Sequence, residues 1–91
     1  MHSPAKEQVL KRLKRIEGQA RGLCRMVEED RYCIDIITQI RAVRAALKRA
    51  EQEVLRDHVH HCVEGAIRSG DEQEQRQKVA ELMDVIMQAE K

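Results

Sequence analysis

The chain has 91 residues, 42% of them hydrophobic but only 1% aromatic, with four Gly and one Pro. A domain of that size buries a modest core, and an interior of Leu, Ile, Val, Met and Ala with few breaks excludes a sheet protein and leaves little room for an enzyme cleft. The net charge of +1 hides a split: residues 1–50 carry 12 Lys+Arg against 6 Asp+Glu, a net of +6, and residues 51–91 carry 5 against 10, a net of −5.

The first element opens at Ser3-Pro4, with Ser as N-cap and Pro at the first helical position. Leu10, Leu13, Ile16, Ala20, Leu23 and Val27 then recur at three- and four-residue steps, predicting a helix over about 4–29. Lys11, Arg12, Lys14 and Arg15 fall on its polar side. Gly18 interrupts it at a cost of ~1 kcal/mol relative to Ala. Cys24 flanks the apolar stripe and reads as a buried structural thiol.

Around Asp30-Arg31-Tyr32 the pattern resets without Gly or Pro. A second stripe runs through Cys33, Ile36/Ile37, Ile40, Val43, Leu47, Ala50, Val54, His58 and Cys62, predicting a helix over about 32–68, ~50 Å long. That is too long for a compact monomer of this size. Ser69-Gly70 stops it, and Asp71 with Glu74 forms a capping box that opens a third helix over about 71–89. Val79, Leu82, Met83 and Ile86 share one face of it. The expected fold is all-α: a single domain over 1–91 made of three helices, stabilised by oligomerisation.

Three cysteines, an odd count, suit a metal or redox role better than a disulfide framework in the cytoplasm, the expected compartment. No apolar run reaches the ~20 residues of a membrane span, and no signal-peptide hydrophobic region follows the polar start. His58 and Cys62 lie at i and i+4 on one helical face, a spacing at which two side chains can share a metal ion. A buried Cys beside a surface His would leave the same trace. Cys33 lies 25 residues before His58, ~37 Å along a continuous helix, so it cannot join the pair within one chain.

In an antiparallel dimer of this helix, residue 33 of one chain lies opposite 58–62 of the other. Ala42, Ala45, Ala46 and Ala50 cluster at the crossing point. The spacing therefore predicts two symmetry-related sites, each with Cys33 from one chain and His58 plus Cys62 from its partner. Two thiolates and one imidazole favour Cu(I), with Zn(II) and Ni(II) as competitors. His61 in the same turn, or His2 in the N-terminal segment, is a further candidate ligand, whereas His60 points elsewhere. Tyr32, beside Cys33, either caps the site by hydrogen bonding or fills the core.

Lys11, Arg12, Lys14 and Arg15, with Arg41, Arg44, Lys48 and Arg49 on the second helix, form a dense cationic set suited to duplex phosphate. The near absence of aromatics counts against stacking on single strands. No helix-turn-helix or zinc finger is present, so a face of the oligomer would meet the DNA.

The run Arg12–Gln19, the Asp30-Arg31-Tyr32-Cys33 turn, the Gln39–Val43 stretch and His58-x3-Cys62 resemble the CsoR/RcnR family of metal- and thiol-responsive repressors over nearly the whole chain. The Cys…His-x3-Cys order is similar to its copper-sensing branch. The resemblance implies an antiparallel dimer that pairs into a flat tetramer. It also implies binding to a G/C-rich operator and release on Cu(I). Cys33, His58 and Cys62 match its copper ligands, and Tyr32 and Glu81 match positions that couple the site to DNA affinity. Arg12 and Arg49 match operator-binding positions, to which proximity adds Lys14, Arg15 and Lys48.

Competing expectations are a nickel sensor using His2, Cys33, His58 and Cys62, a persulfide sensor using Cys33 and Cys62, and a helical metal buffer without DNA binding. No residue set for turnover or for a small-molecule substrate is found, so an enzyme is not expected.

Overall fold

The computed structural model describes Met1 and residues 4–89, and among them every regular element is helical. The elements are α1 (Ala5–Glu28), α2 (Cys33–Asp57), a π-helical segment (His58–Val63), α3 (Glu64–Ser69) and α4 (Glu72–Ala89). Helical backbone continues from Cys33 to Ser69, so the chain has the three helical runs expected of an all-α protein. No helix among the described residues is long and apolar enough to cross a membrane. Two compact units are present, residues 1–55 and 56–91.

In the first unit α1 starts one residue later than expected. Pro4 is its N-cap rather than its first helical residue and makes no side-chain capping bond; Ser3 lies outside the described residues. The other end is closed by the backbone. The N–H of Arg31 donates to the Met26 carbonyl (2.9 Å) and that of Asp30 to the Val27 carbonyl (3.1 Å). This is a Schellman closure, and it puts Asp30 at φ 54°, the left-handed position that Gly usually fills. Asp is among the few other residues that tolerate it, which is why the turn carries no glycine.

The Tyr32 carbonyl then accepts from the N–H groups of Asp35 (3.0 Å) and Ile36 (3.2 Å), starting α2. Across the resulting hairpin Val9, Ile16 and Ala50 are buried. The inner face of α1 is therefore offset from the expected stripe: Val9 joins it, while Leu10, Leu13 and Val27 remain exposed. On α2, Ile36, Val43 and Ala46 are half-buried, and Ile37, Ile40, Leu47 and Val54 stay open. Both helices thus carry more apolar surface than one hairpin can cover.

In the second unit the helix widens. The Glu64 N–H reaches the Val59 carbonyl, five residues back, closing the π-helical turn. The segment HVHHCV contains only residues of low helix propensity, so the α-helical ladder is weak there. A simple continuation of the α-helix was the sequence expectation, and the π-turn departs from it. α3 ends at Gly70, whose φ of 73° lies in the left-handed region that Gly adopts without the cost a Cβ imposes.

Asp71 caps α4, its Oδ1 accepting from the N–H groups of Gln73 (3.0 Å) and Glu74 (3.2 Å). The return half of the expected capping box is rerouted. The Asp71 N–H donates to Ser69 Oγ (3.2 Å), which lies 3.3 Å from the Glu74 carboxylate and 2.7 Å from the Ala66 carbonyl. α4 packs on α3 and the π-turn. The Gln75 side chain also donates to the Ile67 carbonyl (3.2 Å). Ala66, 1% exposed, is the most buried residue described. Of the predicted α4 face only Leu82 is half-buried, while Val79, Met83 and Ile86 are exposed.

Candidate functional site

Cys33 is the first residue of α2 and is exposed, and Tyr32 before it is 68% exposed. Its position follows from the Schellman turn, which ends α1 and presents the first turn of α2 to solvent. Tyr32 makes no side-chain hydrogen bond among the described residues, and its exposure removes the core-filling role considered from sequence.

His58 and Cys62 open and nearly close the π-turn, and both are half-buried. In an α-helix four residues slightly exceed one turn; in the wider π-turn they fall just short of one. The two side chains therefore still project from the same side of the helix. This supplies an imidazole and a thiol on one turn. Among the described residues, no group of three or more His, Cys, Asp or Glu is placed to hold a metal ion.

The neighbouring imidazoles face carboxylates. His61 Nε2 lies 3.6 Å from Asp57 Oδ1, and Asp57 is only 8% exposed. His60 Nδ1 lies 3.9 Å from Glu64 Oε1 at the surface. The turn therefore sorts its three histidines, with His61 directed to the residue before the turn and His60 to the residue after it. His2 lies outside the described residues. Glu81 is exposed and engages its own helix, accepting from Gln77 Nε2 (3.4 Å) and pairing with Lys78 (3.7 Å).

Cys24 is exposed rather than buried, a correction to the sequence reading. It borders an open apolar groove with Leu23, Val27, Ile36 and Ile40.

The basic residues divide in two. Lys14, Arg15, Lys48 and Arg49 are exposed and without ion pairs among the described residues. Arg12 is held: its Nε and Nη2 both lie 3.0 Å from Oε1 of Glu53. Sequence reading missed Glu53, for a pair 41 residues apart leaves no local signal. It also missed Asp57, whose i, i+4 spacing to His61 was available.

Comparison with known proteins shows which family the chain resembles. The family model for metal-sensitive transcriptional repressors matches residues 5–88. The copper-sensing transcriptional repressor CsoR of Bacillus subtilis is 55% identical over 83 residues, 91% of this chain and 79% of that protein. The copper-sensing transcriptional repressor RicR of Mycobacterium tuberculosis is 48% identical over 69 residues, 76% of this chain and 72% of that one. Among solved structures, the copper-sensing repressor CsoR with Cu(I) from Geobacillus thermodenitrificans superposes with a TM-score of 0.90 at 49% identity, covering 100% of this chain and 92% of that one.

Proposed function

The chain belongs to the family of metal-sensitive transcriptional repressors, and from that footing we propose that it is a copper(I)-responsive repressor. Metal-free protein holds a G/C-rich duplex operator, and the copper-loaded form releases it. The observation that carries the reading is the donor set: two thiols and one imidazole, with His58 and Cys62 on a single turn and Cys33 exposed at the start of α2. Such soft, few-membered sets suit Cu(I), which accepts three ligands where Zn(II) usually takes four. The copper-sensing function of the similar proteins points the same way. Repression calls for DNA binding and no catalytic step.

Cys33, His58 and Cys62 would hold the ion, the first from one chain and the other two from its partner. The lack of a three-ligand group among the described residues supports a site shared between chains. So does the open apolar face of α2. Ile37, Ile40, Leu47 and Val54 expose 39–45% of their surface, and covering them would contribute roughly 1 kcal/mol each. An antiparallel dimer through this face brings opposite ends of two α2 helices together, and its pairing into a tetramer would join the basic faces.

The whole chain, 1–91, then acts as one sensing and DNA-binding domain in the cytoplasm. Lys14, Arg15, Lys48 and Arg49 meet backbone phosphates, together with Arg12. Tyr32 beside Cys33 and Glu81 on α4 relay occupancy of the site. When bound, Cu(I) would supply a soft Lewis-acid centre to these thiolates and the imidazole. Release of DNA would follow from linkage: an ion that binds the DNA-free form more tightly than the DNA-bound form must weaken operator binding by the same free energy.

The test is an anaerobic titration of reduced protein with Cu(I) against a chromogenic chelator, followed by binding to a G/C-rich duplex from its own promoter. One tight ion per chain with loss of DNA binding is expected. Tight copper binding that leaves DNA affinity unchanged overturns the reading, as does release by Ni(II), Zn(II) or persulfide but not by copper. Absence of duplex binding in every state would leave a metal buffer.

A further inference from the structure

The cationic face contains one residue unlike the rest. Arg12 is half-buried and engaged, whereas Lys14, Arg15, Lys48 and Arg49 are exposed and without ion pairs among the described residues. Its Nε and Nη2 converge on a single carboxylate oxygen of Glu53, both at 3.0 Å, and the contact joins α1 to α2. Glu53 is the more enclosed member, with 23% of its side chain exposed against 41% for Arg12.

We propose that Glu53 is an internal competitor for the operator: its carboxylate occupies and neutralises Arg12, and so holds down the affinity of the metal-free protein for DNA. The proposal rests on the DNA-binding reading and on Arg12 being a phosphate contact.

The physical argument has two parts. A guanidinium shared with a carboxylate carries no net charge with its partner, so a phosphate arriving there releases less than one condensed counterion. That phosphate also approaches a fixed negative charge one side chain away, a like-charge contact that the exposed lysines and arginines do not impose. Both effects act against binding. Holding the guanidinium in one geometry works in the opposite direction by lowering the ordering cost. It is the smaller effect on a face whose partner is a polyanion, because the repulsion is summed over several phosphates. For a repressor that must let go, restrained affinity is an asset: the effector needs to shift the equilibrium by less.

The discriminating variant is Glu53→Gln, which keeps the shape and a hydrogen-bond acceptor but removes the charge. Affinity of the metal-free protein for a fluorescent G/C-rich duplex from its own promoter is measured across a series of salt concentrations. Glu53→Gln is expected to bind about threefold to tenfold tighter, with a steeper dependence of log K on log salt, by about one for each Arg12 that now meets a phosphate. In an Arg12→Gln background the same change should have little effect. Glu51→Gln, which removes an exposed charge outside the pair from the same helix, separates the specific effect from a general gain in positive charge. Thermal unfolding of each variant verifies that it is folded.

Unchanged or weaker binding by Glu53→Gln overturns the proposal, as does an equal gain in the Arg12→Gln background or with Glu51→Gln. If wild-type protein binds no duplex at any salt concentration, the DNA-binding reading itself fails and takes this proposal with it. Normal wild-type binding with an inert Glu53→Gln sinks this proposal alone.

Discussion

The two portions of the candidate copper site are built differently. Cys33 stands alone on the exposed first turn of a regular α-helix, placed there by a backbone-closed hairpin turn. His58 and Cys62 share a π-helical turn, half-buried and flanked by Asp57 and Glu64, which engage the remaining histidines. One portion is a single open thiol, and the other is an imidazole and a thiol on one turn that departs from the α-helix. The contrast would suit the sensor proposed above, in which the pair on one chain is completed by a thiol from another and occupancy acts across an interface.

The strongest way to break this comparison is to remove a thiol. Cys33→Ala and Cys62→Ala should each lower Cu(I) affinity by about a thousandfold or more, or about 4 kcal/mol, in a chelator competition. Mixing the two variants sharpens it further. Co-refolded Cys33→Ala and Cys62→Ala chains should regain one tight Cu(I) per mixed dimer, because one of the two sites then keeps all three ligands. No recovery would exclude a site shared between chains.

A smaller effect is expected beside the pair. Asp57→Asn removes the buried carboxylate that faces His61 and should weaken Cu(I) binding by about tenfold. Any substitution of His61 for His58 as ligand would appear as a changed nitrogen contribution in X-ray absorption. The smallest effects concern the turns that frame α2 and α3, compared through denaturant unfolding of the apo-protein. Gly70→Ala forces a Cβ into the left-handed region and should destabilise by about 1 kcal/mol. Asp30→Gly at the other left-handed position should stabilise by up to about 1 kcal/mol.

These two turns also show what was legible. Gly70 announced its helix end because only glycine adopts its backbone angles without cost. Asp30 adopts similar angles, yet Asp occurs in many settings and the boundary read as soft. The α1 stripe was displaced for a related reason. A 3.6-residue period defines a broad apolar face, but which edge turns inward depends on the partner helix, so Val9 was overlooked and Leu10 and Leu13 were assigned inward. Cys24 read as buried on the same assumption and lies instead beside a groove.

What this sequence determined by itself is what local periodicity and composition encode: three helical runs, a basic first half, and a Cys, His and Cys set spread along one helical run. Tertiary structure decided the rest. It widened HVHHCV into a π-turn, directed His61 toward Asp57, and tied Arg12 to Glu53. The reason is one of range. Helix signals repeat every three or four residues, whereas a salt bridge spanning 41 residues exists only once two helices have packed.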